Sequence, residues 1–327
     1  MSELHTLAHE FFLSQRRDSW VPAYLAGRGF PEEVQRRFQI GYAPAAWRTL
    51  TGLLRSYGFS DDRQVRSGLV RRSRHGRLYD LFRDRVMFAI RDRDGSIAGF
   101  IGRTAEDAGG PKYLNSPESP HFQKGRLLYG LHGSRGRPVV VEGPLDAVAV
   151  RLAGFAAVSP CGTRLTCHQA ALLGDDPLLA LDGDPAGLRG ALHAWDLFDG
   201  PINAVVLPPG KDPADLLRTG GPGAVRAALR QETPLIDLAV DEAIDRHRLQ
   251  FIEGQVAAAR AAAEVIAGIR HDNAARQVAR VAAKLAFDPA EITTYVIEAL
   301  ERPPAARRPW LWSDALTAEL LDGDRGR

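Results

Sequence analysis

The sequence predicts an α/β protein. A mostly parallel sheet module over residues 136–230 is flanked by an α+β amino-terminal part over 1–135 and a small helical part over 231–300. Three observations carry this division. Between Val139 and Asp215, short apolar runs alternate with helix-length segments, and three of those runs end in acids. Between Val65 and Ile101 the pattern is strand-like, with a hairpin signal at Asp94-Gly95. From Thr233 to Ala299 the chain is alanine-rich with helical period.

In the amino-terminal part, Leu4 to Ser19 places Leu4, Leu7, Ala8, Phe11 and Phe12 on one helical side. Pro31 opens a short helix to Phe38, and Trp47 to Tyr57 carries Leu50, Leu53, Leu54 and Tyr57 at helical spacing. These aromatics are expected in the core and not as base-stacking platforms. Strands follow at Gly68–Val70, Val86–Ile90 and Ile97–Ile101. Residues 63–103 hold eleven arginines, four aspartates and no lysine. An excess of seven positive charges there marks a phosphate-binding face, or else a solvated hairpin in an arginine-biased chain.

The central part is the most informative. Val139-Val140-Val141 runs into Glu142-Gly143, and Pro144 suits the first position of a helix that Gly154 stops. Ala156–Val158 is strand-like, then Thr166–Leu173 helical. Leu178–Leu181 ends in Asp182-Gly183-Asp184 before a helix from Pro185 to Phe198. Ala204–Leu207 leads to Gly210-Lys211-Asp212 and a helix from Pro213 to Arg218. Right-handed crossovers put the carboxyl ends of parallel strands at one ligand-facing edge. Glu142, Asp182, Asp184 and Asp212 therefore share that edge. Each alone reads equally as a helix cap or a solvated acid, but as a set they repel, and a hard divalent cation relieves the repulsion.

Beyond Thr233, helix breaks are expected near His247, Gly268–Asn273 and Asp288-Pro289. Residues 301–327 form a Pro/Arg-rich tail with an amphipathic Trp310–Leu321 segment, suited either to docking on a partner or to folding back.

At 327 residues the chain can hold two or three packed units. No run approaches the ~18 apolar residues of a membrane span, and the start lacks a signal-peptide pattern, so a cytoplasmic protein is expected. Cys161 and Cys167 make neither a disulfide framework nor a zinc site, and His5 and His9 have no further ligands. Of 42 basic residues only four are lysines, and Lys112, Lys124 and Lys211 fall inside motif segments.

Glu142-Gly143-x-x-Asp146, Gly162-Thr163, Asp182-Gly183-Asp184-x-Ala186-Gly187 and Gly210-Lys211-Asp212-Pro213 resemble the TOPRIM module of bacterial DnaG-type primases. Upstream, Ile40-Gly41-Tyr42-Ala43-Pro44, Tyr79-Asp80-x-Phe82-Arg83-x-Arg85-Val86-Met87-Phe88, Pro111-Lys112-Tyr113-Leu114-Asn115-Ser116-Pro117-Glu118 and Phe122-Gln123-Lys124-Gly125-Arg126 are similar to the same family's polymerase core. The likeness runs from about Val21 to Leu300, with the motifs in family order. It lacks the family's zinc module and helicase-docking domain. It also departs from the family at Pro144, where an aromatic is common, and at Ala214, where many members have an acid that Asp215 replaces one residue later.

The resemblance implies a TOPRIM-type parallel-sheet module and a DNA-dependent RNA primase core joining ribonucleotides on single-stranded DNA. It implies Mg²⁺ or Mn²⁺ and no zinc, with Asp182, Asp184 and Asp212 as metal ligands and Asp146 and Asp215 as outer or second-site ligands. Glu142 is then a ligand or the base that takes the hydroxyl proton. Arg103, Lys112, Tyr113, Asn115, Lys124, Arg126 and Lys211 would contact nucleic acid or nucleotide, although Tyr113 and Tyr129 suit packing better than base stacking. A partner protein supplying template recognition or helicase contact is also implied. A TOPRIM nuclease and a non-catalytic single-strand-binding or loading module are the competing readings.

Overall fold

The computed structural model describes residues 2–105, 110–162, 164–180, 182, 185–195, 197–198, 200–268 and 273–302. The chain divides into two compact units, residues 1–194 with 204–232, and 195–203 with 233–327. Gly183, Asp184, Thr163 and the Trp310–Leu321 segment lie outside the described residues.

The first unit opens with the Ser2–Gln15 helix, which buries Leu4, Ala8, Phe11 and Phe12. It covers a sheet of four strands in the order Gly41–Ala43, Arg85–Arg91, Ile97–Arg103 and Tyr113–Asn115, each pair antiparallel. A separate hairpin pairs Val70–Arg72 with Leu78–Asp80. Two histidines lock the helix down. His5 places its ring nitrogens 3.0 Å from the Ile97 and Ser67 carbonyls, and the buried His9 lies beside the Phe100 ring.

Burial and the nearby Arg91 push the His9 pKa down to about 4. A histidine held below its unfolded pKa adds stability that is complete above 6.5 and lost as pH falls toward 4. Acidification from pH 7 to 4 is therefore expected to improve His9→Phe relative to wild type by on the order of 3 kcal/mol. Denaturant melts across that range measure it, and a constant difference would show that His9 does not titrate.

Five strands of the central sheet lie in the order Leu128–Tyr129, Ala156–Pro160, Pro138–Val140, Leu178–Leu179 and Asn203–Val205. Pro138–Val140 pairs in parallel with both neighbours, while Leu128–Tyr129 is an antiparallel edge. One core joins the two sheets. Val86, Phe88 and Ile90 from the first share a core with Val139 and Val141 from the second and Leu145 from the Pro144–Leu152 helix, and Tyr129 meets the Phe88 ring edge-on at 5.8 Å.

Three expectations change. Trp47 and Tyr57 are 61 % and 65 % exposed, because they flank the Thr49–Ser56 helix and do not sit on its apolar face. The helix expected over Thr166–Leu173 shrinks to Cys167–Ala170, capped by Thr166 and Gln169. The Pro213–Leu229 span holds two helical segments, because Gly221 at φ 65° and ψ −171° leaves helical geometry; the helix expected over Pro213–Arg218 ends near that break, and the second segment, opened by Pro222, goes beyond the expectation.

In the second unit, Leu235–Asp245, Ile252–Ala267, Ala274–Leu285 and Pro289–Leu300 are helices. Asp237, Asp241 and Asp245 recur every four residues on the first and face Arg276, Gln277, Arg280 and Lys284 on the third. The alanines at 258, 259, 262 and 263 are fully buried, which lets neighbouring helices approach closely.

Candidate active site

The site is built where the central strands end. Beyond Val140 the parallel ladder continues, with the Val141 N–H donating to the Val158 carbonyl and the Ala180 N–H to the Val140 carbonyl. Glu142 Oε1 then accepts from the Asp182 N–H at 3.3 Å, so the two strand-end acids are tied side by side. Gly143 is required next, since a Cβ there would meet Asp146 Oδ2 at 2.9 Å and the Tyr113 hydroxyl at 3.0 Å. Gly187 is required for the same reason, a Cβ there lying 2.2 Å from the Asp182 carbonyl oxygen. Gly187→Ala is expected to displace Asp182 and destabilise the protein by about 1–3 kcal/mol. A thermal melt checks this, and an unchanged midpoint would mean the turn accommodates a methyl.

Asp146 holds two helix starts together. Its Oδ2 accepts from the Gly143 N–H at 3.1 Å and its Oδ1 from the Ala214 N–H at 3.3 Å. Burial, followed by the negative charges of Asp212 and Asp182, pushes its pKa up to about 8. Asp212 caps the Pro213–Leu229 helix by accepting from the Asp215 N–H at 2.6 Å. Among the described residues, no three acids, histidines or cysteines gather tightly enough to hold an ion. The acids are nevertheless all carboxylate donors, the chemistry that suits a hard divalent cation, and Asp146 feels the charges of Asp212 and Asp182.

Asp212 and Asp215 face basic groups across a cleft of about 770 Å³ lined also by Arg28, Arg103, Thr104, Lys112 and Arg218. Arg103 comes from the end of the Ile97–Arg103 strand and donates to the Tyr113 hydroxyl at 3.0 Å. Arg85 is buried and donates to the Gly102 and Pro111 carbonyls, which ties the strand ending in Arg103 to the segment bearing Lys112.

Of the sequence-predicted residues, Arg103, Lys112, Asp212 and Asp215 line this cleft, Tyr113 touches Arg103, and Glu142, Asp146 and Asp182 are linked beside it. Arg126 lines a second opening with Gln123, Thr166 and His168, and the neighbouring Lys124 is exposed. Asn115 donates to the Cys161 carbonyl at 2.6 Å, bridging the two sheets. Lys211 is half-buried in the turn before Asp212, where its N–H meets the Pro208 carbonyl. Sequence reasoning missed Arg28 and Arg218, which lie outside the quoted motifs. It quoted Arg83 but not its role beside Trp47: the guanidinium lies 4.1 Å from the exposed Trp47 ring centre and 5.5 Å from that of Tyr79.

Residues 8–135 match the family model for the amino-terminal domain of the DNA primase catalytic core, and residues 139–217 match a Toprim-like model. The RNA polymerase domain of Mycobacterium tuberculosis primase DnaG, solved with double-stranded DNA, superposes with a TM-score of 0.77 at 30 % identity, covering 88 % of this chain and 98 % of that one. The chain belongs to the DnaG primase catalytic-core family. A primase domain from Pseudomonas aeruginosa is similar at 31 % identity and a TM-score of 0.76, covering 90 % of this chain and 99 % of that one. A DnaG catalytic domain bound to single-stranded DNA is similar at 30 % identity and a TM-score of 0.74, covering 89 % and 97 %.

The Deinococcus radiodurans DNA primase is 39 % identical over 268 residues, which are 77 % of this chain and 47 % of that protein. The chain thus spans about half the length of the curated relatives it matches. Toprim primase cores use divalent metal, in keeping with the carboxylate set here. No helix among the described residues is long and apolar enough to cross a membrane.

Proposed function

We propose that this primase core joins ribonucleotides on a single-stranded DNA template. The observation that carries it is the cleft where Asp212 and Asp215 face Arg103 and Lys112. That juxtaposition suits a phosphate held between cations and a metal-binding carboxylate edge. In the reaction a 3′-hydroxyl attacks an α-phosphate, a new O–P bond forms, and the bond to pyrophosphate breaks. Asp182, Asp184 and Asp212, with Asp215 as a further ligand, would hold a divalent ion, which when bound would activate the hydroxyl and neutralise charge on the leaving group. Glu142 lies exposed beside Asp182 and takes the hydroxyl proton or completes the ligand set. Asp146, with both oxygens on backbone N–H groups, acts as the orienting acid that sets Gly143 and Ala214 in place.

Arg103 and Lys112 hold phosphates without reading sequence. Trp47, with the Arg83 guanidinium over its ring and Tyr79 edge-on to it, offers an exposed surface on which a template base can lie. Arg71 pairs directly across the hairpin from Tyr79, adding charge beside that ring. Lys124, Arg126 and Lys211 are secondary contacts in this reading, and Asn115 is structural.

Binding and chemistry separate in a test. Lys112→Ala is expected to weaken single-stranded DNA binding and to flatten its salt dependence by about 0.7 log units per lost contact. Fluorescence anisotropy over a salt series measures this, and an unchanged slope removes Lys112 from the strand path. Extension of an RNA primer annealed to DNA, in the presence of ribonucleotides and Mg²⁺ or Mn²⁺, tests the function itself. Absence of extension in every metal and nucleotide condition argues against it.

A further inference from the structure

The cleft carries a residue whose position suits neither the carboxylate edge nor the template path. Arg218 lies three residues after Asp215 on the Pro213–Leu229 helix, and the two form an ion pair at 3.3 Å. The Arg218 side chain is 45 % exposed, so the pair is weak and readily exchanged. Its backbone is packed against the turn at Gly29. Gly29 takes φ +90°, and a Cβ there would sit 3.2 Å from Arg218 Cα, so the turn bearing Arg28 rests directly on residue 218. Two guanidinium-bearing segments thus converge at the cleft wall, nearly two helical turns (~9 Å along the axis) beyond the Asp212 cap.

We propose that Arg218 binds the outer phosphates of the incoming nucleoside triphosphate, leaving Asp215 as it does so; this rests on the nucleotidyl-transfer reading above. An α-phosphate seated at the carboxylate edge sends its β- and γ-phosphates along the cleft, and Arg218 is placed to meet them. Arginine engages phosphate through two parallel N–H donors, a stronger bond than its single contact with Asp215. Exchange also frees Asp215 at the moment the nucleotide arrives. Asp215 is the acid that follows Ala214, so the switch ties that shifted carboxylate to nucleotide occupancy. A monophosphate, or a strand whose phosphates are spread along its length, does not reach Arg218 in the same way.

The experiment compares wild type, Arg218→Ala and Arg218→Lys for binding of a fluorescently labelled nucleoside triphosphate, the matching monophosphate and a single-stranded DNA oligomer. Thermal melts establish that all three proteins are folded. Arg218→Ala is expected to raise the triphosphate Kd about tenfold while changing monophosphate and DNA binding less than about twofold. Arg218→Lys should recover part of the loss, since it keeps the charge without the fork. Unchanged triphosphate affinity overturns the proposal. An equal loss for all three ligands overturns it too, because Arg218 would then act only through its general field. Selective triphosphate loss in a protein that never extends a primer leaves this assignment standing and counts against the nucleotidyl-transfer reading alone.

Discussion

Glu142→Gln is expected to lower ribonucleotide incorporation by about 10²–10⁴-fold while leaving DNA affinity within about twofold. Its carboxylate lies at the end of the Pro138–Val140 strand, where Oε1 accepts from the Asp182 N–H. A glutamine oxygen can keep that bond, so the strand ends stay aligned and only the charge is lost. Incorporation assays with a fixed template, run beside anisotropy measurements, separate the two effects. Loss of DNA binding as severe as that of Lys112→Ala would place Glu142 in the strand path instead.

The second large effect concerns Asp146. Its folded pKa of about 8 lies above the ordinary 3.8 because of burial and then the charges of Asp212 and Asp182. An acid raised on folding adds stability that is complete below its unfolded pKa and is lost as pH climbs through the folded value. Without added metal, stability should therefore fall on the order of 1 kcal/mol per pH unit between about pH 6.5 and 8, above the range where His9 acts. Asp146→Asn should lack that slope, at a pH-independent cost of about 1 kcal/mol for one backbone hydrogen bond it can no longer accept. A divalent ion favours the ionised set, so its binding near pH 7 should release a proton, seen as a buffer-dependent heat in calorimetry. A wild-type slope equal to that of Asp146→Asn, with no proton release, would mean Asp146 is ionised throughout.

Much of this was readable in the sequence for a physical reason. Parallel strands end on one edge, so an acid at the end of each apolar run is also an acid in the site, as for Glu142, Asp182 and Asp212. The glycines at 143 and 187 follow the same logic, because backbone or carboxylate from another segment occupies the space a Cβ would need. What periodicity cannot convey is which of many arginines turns inward. Arg85 is consumed in holding the Gly102 and Pro111 carbonyls, whereas Arg28 and Arg218 line one cleft where the Gly29 turn settles on a distant helix. Trp47 misled for a related reason. An aromatic two residues before a helix reads as core, but an arginine stacked on its face lets it stay at the surface.

The most direct test incubates the protein with end-labelled single-stranded DNA, differently labelled ribonucleotides and Mg²⁺ or Mn²⁺, and resolves both labels by length in one reaction. The nucleotidyl-transfer account predicts a ladder of short RNA products above intact DNA, abolished by Glu142→Gln. Release of mononucleotides from the DNA without ribonucleotides, or DNA binding with no RNA product under any condition, would contradict it.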